Sequence, residues 1–344
     1  PRMIKPDDPV PPSAAQPRQQ QTDKLTVRNN EQDDVLAFLS CGAAFPGDGV
    51  VTRIETHGAY VFLCGDTALK LKRAVHYDYM DLSTADLRRR MLMRELELNA
   101  AEAPSIYRDV VAITSDQEGL SLGGDGPVID WVLRMNRFPA EDELQAVAAR
   151  GGLDGALADA LGRMVWRYHA ACPQRLSDGA DLIRDILDEL DRVFAEFADQ
   201  PGTEALADWR IAAQRAFCEA SPLLTERGHS GHVRRAHGDL HLRNIVLIEG
   251  KPVAFDALEF SEALGTCDVL YDLAFLLMDL GHRNLDSAAG RVISAYLLAA
   301  RGAEDSGLAA MPLFLSVRAA IRAMVLLQTD AARGQPGASS AEVA

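Results

Sequence analysis

The sequence has no means of pairing its cysteines in a framework. Cys41, Cys64, Cys172, Cys218 and Cys267 are scattered, odd in number and form no C-x-x-C pair. This argues against a disulfide scaffold or a structural zinc site, and a reducing cytoplasm is the expected location. Positive charge is also short. Lys and Arg number 35 against 50 Asp and Glu, for a net charge of −15. Nucleic acids and anionic membranes both demand a basic footprint, so neither is an expected partner. No apolar run is read as approaching the roughly 20 residues that span a bilayer. The polar, proline-rich start does not read as a signal peptide. The phosphate-loop pattern G-x-x-x-x-G-K-[ST] is missing as well, because Gly250-Lys251 is followed by Pro252.

What is present is a chain of 344 residues, 48% apolar and 25% charged, enough for two lobes with a sizeable core. Its most informative stretch is His237-Gly238-Asp239-Leu240-His241-Leu242-Arg243-Asn244, followed by Ile245-Val246-Leu247-Ile248. A turn at Glu249-Gly250-Lys251-Pro252 and a second run ending Val253-Ala254-Phe255-Asp256 come next. Two short apolar runs around such a turn predict a β-hairpin. The hairpin brings Asp239, Asn244 and Asp256 to one end. One carboxylate is then free to accept a proton, and an amide oxygen and a second carboxylate remain for a hard cation. Phosphoryl transfer from a Mg²⁺ nucleotide needs this set. Two other readings stay open here. His237, Asp239 and His241 form an H-x-D-x-H pattern that suits zinc or a metal pair in a metallohydrolase. The same residues also suit a turn of satisfied polar groups with no chemistry.

His-Gly-Asp-Leu-His-x-x-Asn, the hairpin, Phe255-Asp256 and the continuation Asp268-Val269-Leu270-Tyr271-Asp272-Leu273-Ala274-Phe275-Leu276-Leu277-Met278-Asp279 together resemble the aminoglycoside phosphotransferase-like kinases. These are relatives of choline kinase and of the eukaryotic protein kinases. The likeness is to the kinase-like half of bacterial two-part proteins whose other half is a P-loop ATPase. It covers most of residues 45–300 and is most specific at 235–280. A P-loop ATPase domain is therefore an expected partner, in trans or lost from this chain.

The resemblance implies an α+β, bilobal protein-kinase-like fold: a small antiparallel-sheet N-lobe with one helix, and a larger, mainly helical C-lobe. Residues 1–30, rich in Pro, Gln and Asp, read as a disordered tail. Residues 31–136 read as the nucleotide-binding N-lobe. A short helix falls within 31–45, strands at 51–55, 60–64 and 68–72, a helix over 82–102, and strands at 109–114 and 128–135. The glycine-rich piece between the last two precedes no helix and reads as a hairpin turn, not a phosphate loop. Residues 137–331 read as the C-lobe with the catalytic loop and acceptor site. Its stripes, such as Leu157, Ala160, Leu161, Met164, Val165 and Tyr168, recur at helical spacing and are core packing. Further helices are expected over 203–220, 285–301 and 308–331. Residues 332–344 read as a flexible tail or linker.

The resemblance also assigns roles. Asp239 would orient the acceptor hydroxyl and take its proton, while Asn244 and Asp256 would hold Mg²⁺. Lys70 would contact the nucleotide's α/β phosphates. Lys72 shares its strand face and competes for the role. Glu95 would hold the lysine; Glu97 lies about 200° around the helix and cannot share that side. Ala68 would lie against adenine, and backbone groups of the hinge Met135-Asn136-Arg137-Phe138 would pair with the adenine edge. The turn Thr56-His57-Gly58-Ala59 would cover the phosphates. Asp272 would cap a helix and brace the catalytic loop. Glu259 would support the site, in a segment, Asp256-Ala257-Leu258-Glu259-Phe260, that departs from the protein-kinase Asp-Phe-Gly. Arg88, Arg89, Arg90 and Arg94 read as a solvated face or a site for a phosphate-bearing substrate, and Arg234 and Arg235 as partners for acids near the loop. His169 reads as structural. The expected function is ATP- and Mg²⁺-dependent transfer of phosphate to the hydroxyl of a small molecule. A nucleotide-binding regulatory module without turnover is the alternative.

Overall fold

The computed structural model describes residues 32–47, 49–77, 80–200, 203 and 205–343. The disordered tail expected at 1–30 lies outside them. A helix, α1 (Asp33–Ser40), precedes three strands, β1 (Thr52–Glu55), β2 (Ala59–Cys64) and β3 (Thr67–Lys72). A small pair, β4 (His76–Tyr77) and β5 (Met80–Asp81), leads into α2 (Ala85–Asn99). The strands β6 (Tyr107–Asp116), β7 (Gly119–Leu122) and β8 (Val128–Asn136) follow. Six of these strands make one antiparallel sheet in the order β1-β2-β3-β8-β6-β7. The extra strand against the expected five is β7, in the piece read as a turn. Its Gly-Leu-Ser-Leu alternates, and Leu120 and Leu122 both pack on the core.

Alternation in β3 explains why the sheet is covered on both faces. Leu69 and Leu71 point into a core with Val35 and Leu39 of α1, Phe62 and Val132. Ala68, Lys70 and Lys72 point the other way. On that side Leu92 of α2 packs with Ile106, Tyr107 and Leu133. The lobe thus carries a helix on each face rather than one.

From residue 140 onward helices dominate: α3 (Leu144–Ala149), α4 (Gly155–Ala171), α5 (Gly179–Glu196) and α6 (Leu206–His229). The last continues past Pro222, well beyond the expected end at 220. Three strands come next, β9 (Val233–Arg235), β10 (Ile245–Ile248) and β11 (Lys251–Ala254). The chain continues through the single turn α7 (Glu262–Gly265), β12 (Thr266–Asp268), α8 (Val269–His282), α9 (Asp286–Ala300), α10 (Met311–Ala332) and α11 (Ser340–Val343). β9 pairs with β12 and β10 with β11, all antiparallel. α8 is the central helix, with Leu270, Tyr271, Leu273, Ala274, Leu276, Leu277 and Leu280 all buried. A helix apolar on nearly every side belongs in the middle of a core.

Two expectations change at the C-terminal end. The stretch Asp305–Ala332 is long and apolar enough to cross a membrane by length and composition, containing an 18-residue window of mean hydropathy 1.7. Arg318 and Arg322 interrupt its apolar run, which hides this from a reading of consecutive residues. Half of that window is buried inside the fold. Arg318 itself is buried, donating to the Tyr271 carbonyl at 3.2 Å and lying over the Tyr271 and Phe275 rings. The segment expected as a flexible tail is tied back: Asp330 accepts the Ser339 N–H at 2.6 Å, and Glu342 pairs with Arg322 at 2.7 Å.

Gly162 sets the spacing of α4 and α9. A Cβ there would run into the Val292 carbonyl oxygen and come within 2.9 Å of the Ala295 Cβ. Glycine inside a helix is otherwise a weak choice. Gly162→Ala is expected to lower unfolding free energy by about 1–3 kcal/mol through overpacking. Chemical denaturation measures this, and an unchanged midpoint would mean the two helices separate without cost.

Candidate active site

The loop 237–244 is held in shape by two acids on one face of α8. The Asp272 carboxylate is fully buried and accepts the N–H groups of His237 at 3.1 Å and Gly238 at 2.9 Å. Asp279, two turns along, accepts the Leu242 N–H at 3.1 Å. Gly238 adopts φ +81°, and a Cβ there would press on Leu258 at 3.2 Å, so the loop turns where only glycine fits easily. Asp272 is thus a brace, as expected, but not the cap. The N-cap of α8 is Asp268, whose side chain accepts the Leu270 N–H at 2.8 Å. His169 bridges Asp272 at 3.1 Å and the Tyr296 hydroxyl at 3.0 Å, fully buried, in keeping with its structural reading. Burial alone would raise the Asp272 carboxyl; the His169 hydrogen bond leads the opposing effects, and the group falls to about 2.

The hairpin forms as expected, but with a tighter turn. Ile248 pairs directly with Lys251, leaving Glu249 and Gly250 as a two-residue loop. Both have positive φ, 51° and 74°, the type I′ pattern that matches strand twist. This geometry brings Asn244 beside Phe255, whose N–H donates to the Asn244 carbonyl at 3.0 Å. The Asn244 amide nitrogen donates to both the backbone and side-chain oxygens of Asp239, each at 2.9 Å. Among the described residues no donor meets the Asn244 side-chain oxygen. Asp256 follows in the left-handed region, φ 60°, which is unusual for a non-glycine residue. Tyr107 accepts its N–H at 3.0 Å, and Asn99 accepts the next N–H, that of Ala257, at 2.9 Å. Both supports come from the first lobe.

The two lobes meet over this hairpin. Val246 is buried against Leu92, Tyr107 and Leu133, and Phe255 meets Phe138 edge-on at 5.1 Å. Lys70 then reaches across: its ammonium lies 2.7 Å from Glu95 and 2.8 Å from Asp256. Burial would lower the Lys70 pKa, yet Asp256 and Glu95 hold it well above the usual lysine value. Burial would raise Asp256, yet Lys70 takes it down to about 2. Asp239 is also held below the ordinary carboxylate range, its burial offset mainly by the His241 hydrogen bond.

Lys70, Glu95 and Asp256 are therefore joined by ion pairs beside the hairpin that carries the Asp239–Asn244 pair. Ala68 and Met135 sit directly opposite each other on β3 and β8, two residues along β3 from Lys70. Lys72 is not excluded by the geometry; it is buried and binds the other Glu95 oxygen at 2.7 Å and Glu259 at 2.6 Å. Glu97 points away and pairs with Arg94. The turn at 56–59 is a closed one, Thr56 bonding Ala59 through both backbone and hydroxyl.

Several expectations fail. The arginines of α2 do not form one face: Arg88 is buried against Asp130 at 2.9 Å, Arg89 lies over Trp131, and Arg94 reaches Glu262 at 2.7 Å. Arg235 pairs with the acid Glu262, but Arg234 spends one guanidinium nitrogen on the carbonyls of His169, Ala170 and Cys172. The H-x-D-x-H triplet does not converge. The His237 ring takes the Asp239 N–H at Nδ1 and donates to the Phe255 carbonyl from Nε2 at 2.9 Å. Burial also keeps it neutral by lowering its pKa. Among the described residues no group of three His, Cys, Asp or Glu is placed to hold a metal ion. Residues not anticipated are Asp279, Asn99 and Tyr107. Asp279 sits seven positions after Asp272 on an otherwise apolar helix, and Asn99 four after Glu95, so helical spacing flags both. Tyr107 carries no such signal.

No protein-family model matches the chain. An uncharacterized protein of Mycobacterium tuberculosis is 28% identical over 277 residues, covering 79% of this chain and 53% of that protein. The chain spans about half the length of the curated relatives it matches. Among solved structures, choline kinase from Cryptosporidium parvum aligns with a TM-score of 0.52 at 11% identity, covering 85% of this chain and 88% of that one. A choline/ethanolamine kinase family protein from Mesorhizobium loti gives 0.50 at 19% identity, covering 88% and 87%. The fold is that of the choline and ethanolamine kinases. In this kinase-like fold the β1–β8 sheet is the N-lobe and the helical part the C-lobe, and Lys70, Glu95 and Asp256 lie where the lobes meet.

Asp272→Asn is expected to destabilise the protein by about 3–5 kcal/mol, because it strips His169 and two loop N–H groups of a buried charge. The sign of its pH dependence follows from the depressed pKa. The stabilisation is present above the ordinary carboxylate value, about 4, and is lost as pH falls through about 2. In denaturant melts the gap between wild type and Asp272→Asn should narrow on acidification below about pH 4; a pH-independent gap would contradict this account.

Proposed function

We propose that this protein is an ATP- and Mg²⁺-dependent phosphotransferase that moves the γ-phosphate to a hydroxyl of a small molecule. The observation that carries the reading is the Lys70 ammonium, shared between Glu95 and Asp256 beside the Asp239–Asn244 pair. The donor set suits Mg²⁺. It offers few, hard oxygens, with the Asn244 side-chain oxygen undonated among the described residues and the Asp256 side chain 41% exposed. When bound, Mg²⁺ neutralises phosphate charge and the nucleotide supplies the phosphoryl group.

In this reading Asn244 and Asp256 hold the ion. Glu95 fixes Lys70, which turns toward the α/β phosphates. Ala68 and Met135 bound the adenine side. Asp239, its amide neighbour fixing one oxygen, orients the acceptor hydroxyl and receives its proton. A carboxylate held below its ordinary pKa is a weak base, so Asp239 acts chiefly by positioning, and the barrier falls through alignment and charge neutralisation. The free, unpaired thiols are consistent with a cytoplasmic setting.

Calorimetry of Mg·ATP, together with a screen of hydroxyl-bearing acceptors, tests this. Asp239→Ala should leave Mg·ATP affinity within about threefold and cut transfer by about 10²–10⁴. Asp256→Ala should weaken Mg²⁺-dependent binding about tenfold or more. Equal losses of binding in both variants would overturn these roles. A wild type that does not bind Mg·ATP would overturn the phosphotransferase reading, and binding without product across the screen would favour a regulatory module.

A further inference from the structure

The site contains a second buried lysine that the proposed chemistry leaves without a task. Lys72 is 3% exposed. Its ammonium lies 2.7 Å from one Glu95 oxygen and 2.6 Å from Glu259, while the other Glu95 oxygen takes Lys70 at 2.7 Å. Lys70 continues to Asp256 at 2.8 Å. The five groups form one chain of four ion pairs, running from Asp256 through Lys70, Glu95 and Lys72 to Glu259. Asp256 and Glu259 sit three residues apart on one C-lobe segment, Lys70 and Lys72 two apart on one β3 face, and Glu95 joins the lysines from α2. Three carboxylates and two ammoniums leave the chain of ion pairs with one net negative charge.

This linkage constrains any rearrangement of Lys70. Glu95 is fully buried, and a buried carboxylate without a partner is strongly unfavourable. If Lys70 turns toward a phosphate, its grip on Glu95 loosens, and Lys72 is the other cation within reach. Lys72 keeps its own position through Glu259, whose side chain is 10% exposed.

We propose that Lys72 and Glu259 are positioning residues: they anchor Glu95 so that Lys70 can exchange Asp256 for a nucleotide phosphate. This rests on the phosphotransferase reading above. Without Lys72, Glu95 and Glu259 both turn to Lys70 and withhold it from the nucleotide.

Calorimetric titration of Mg·ADP, which needs no turnover, is the test. Lys72→Met should raise Kd about tenfold. Lys72→Arg, which keeps the charge, should stay within about threefold of wild type. Adding Glu259→Gln to Lys72→Met removes one stranded carboxylate and should recover about threefold of the loss, a coupling that only interacting residues give. Melting temperatures of the nucleotide-free variants are measured alongside. A lower Tm with Kd unchanged in Lys72→Met would make the pair purely structural and overturn the proposal, as would independent, additive losses in the double variant. If Lys72→Met does not fold, Glu259→Gln alone decides: a Kd raised about threefold supports the proposal and an unchanged one overturns it. A wild type that fails to bind Mg·ADP sinks the phosphotransferase reading itself, and this inference with it.

Discussion

Asp272 sits beneath the loop with no solvent around it, accepting two loop N–H groups and a hydrogen bond with His169. A buried carboxylate is costly unless nearly every lone pair is satisfied, and here the loop's own backbone supplies the satisfaction. The arrangement runs both ways. The acid fixes the peptide groups at 237 and 238, those groups fill its lone pairs, and the His169 hydrogen bond leads the effects that keep it ionised. The α8 helix that carries it is locked by apolar packing on almost all sides, so the loop inherits the rigidity of the C-lobe core. Asp239 and Asn244 then follow from the loop, and Asp256 from the hairpin that leaves it.

The N-lobe is joined to that frame by charge and by apolar packing. Asp256, Glu259 and Glu262 each meet a cation from the first lobe: Lys70, Lys72 and Arg94. The Lys72–Glu259 pair is nearly buried and the Lys70–Asp256 pair half-exposed on its acid side, while Arg94 and Glu262 are open to water, where such a pair is worth little. Apolar contacts of Val246 and Phe255 add to the join. The segment 256–262 and the apolar residues of the hairpin therefore share the join between the lobes.

Much of this was legible in the sequence, and for identifiable reasons. Alternation marked β2 and β3, and helical stripes marked α4 and α5, because in those elements a single buried face controls the pattern. The loop and hairpin were legible because polar residues of three kinds recur at fixed spacing around two apolar runs. The arginines of α2 misled, since spacing cannot reveal that Asp130, on another strand, waits for Arg88. β7 was hidden by its glycine, and the apolar character of α10 by two arginines. The H-x-D-x-H pattern looked like a metal set because sequence shows which side chains are near but not which ring nitrogens the backbone has already claimed. Nothing local marks Tyr107 as the acceptor for the Asp256 N–H; that contact exists only once two lobes are stacked.

The two acids that grip the loop, Asp272 and Asp279, stand seven residues apart, about 10.5 Å along the axis of α8. The helix thus acts as a gauge for the loop, with one jaw at 237–238 and the other at 242. One residue added between the jaws would rotate Asp279 by about 100° and carry it out of reach. Chain length in the loop and chain length in the two turns of α8 between Asp272 and Asp279 are therefore a single quantity, free to change only together.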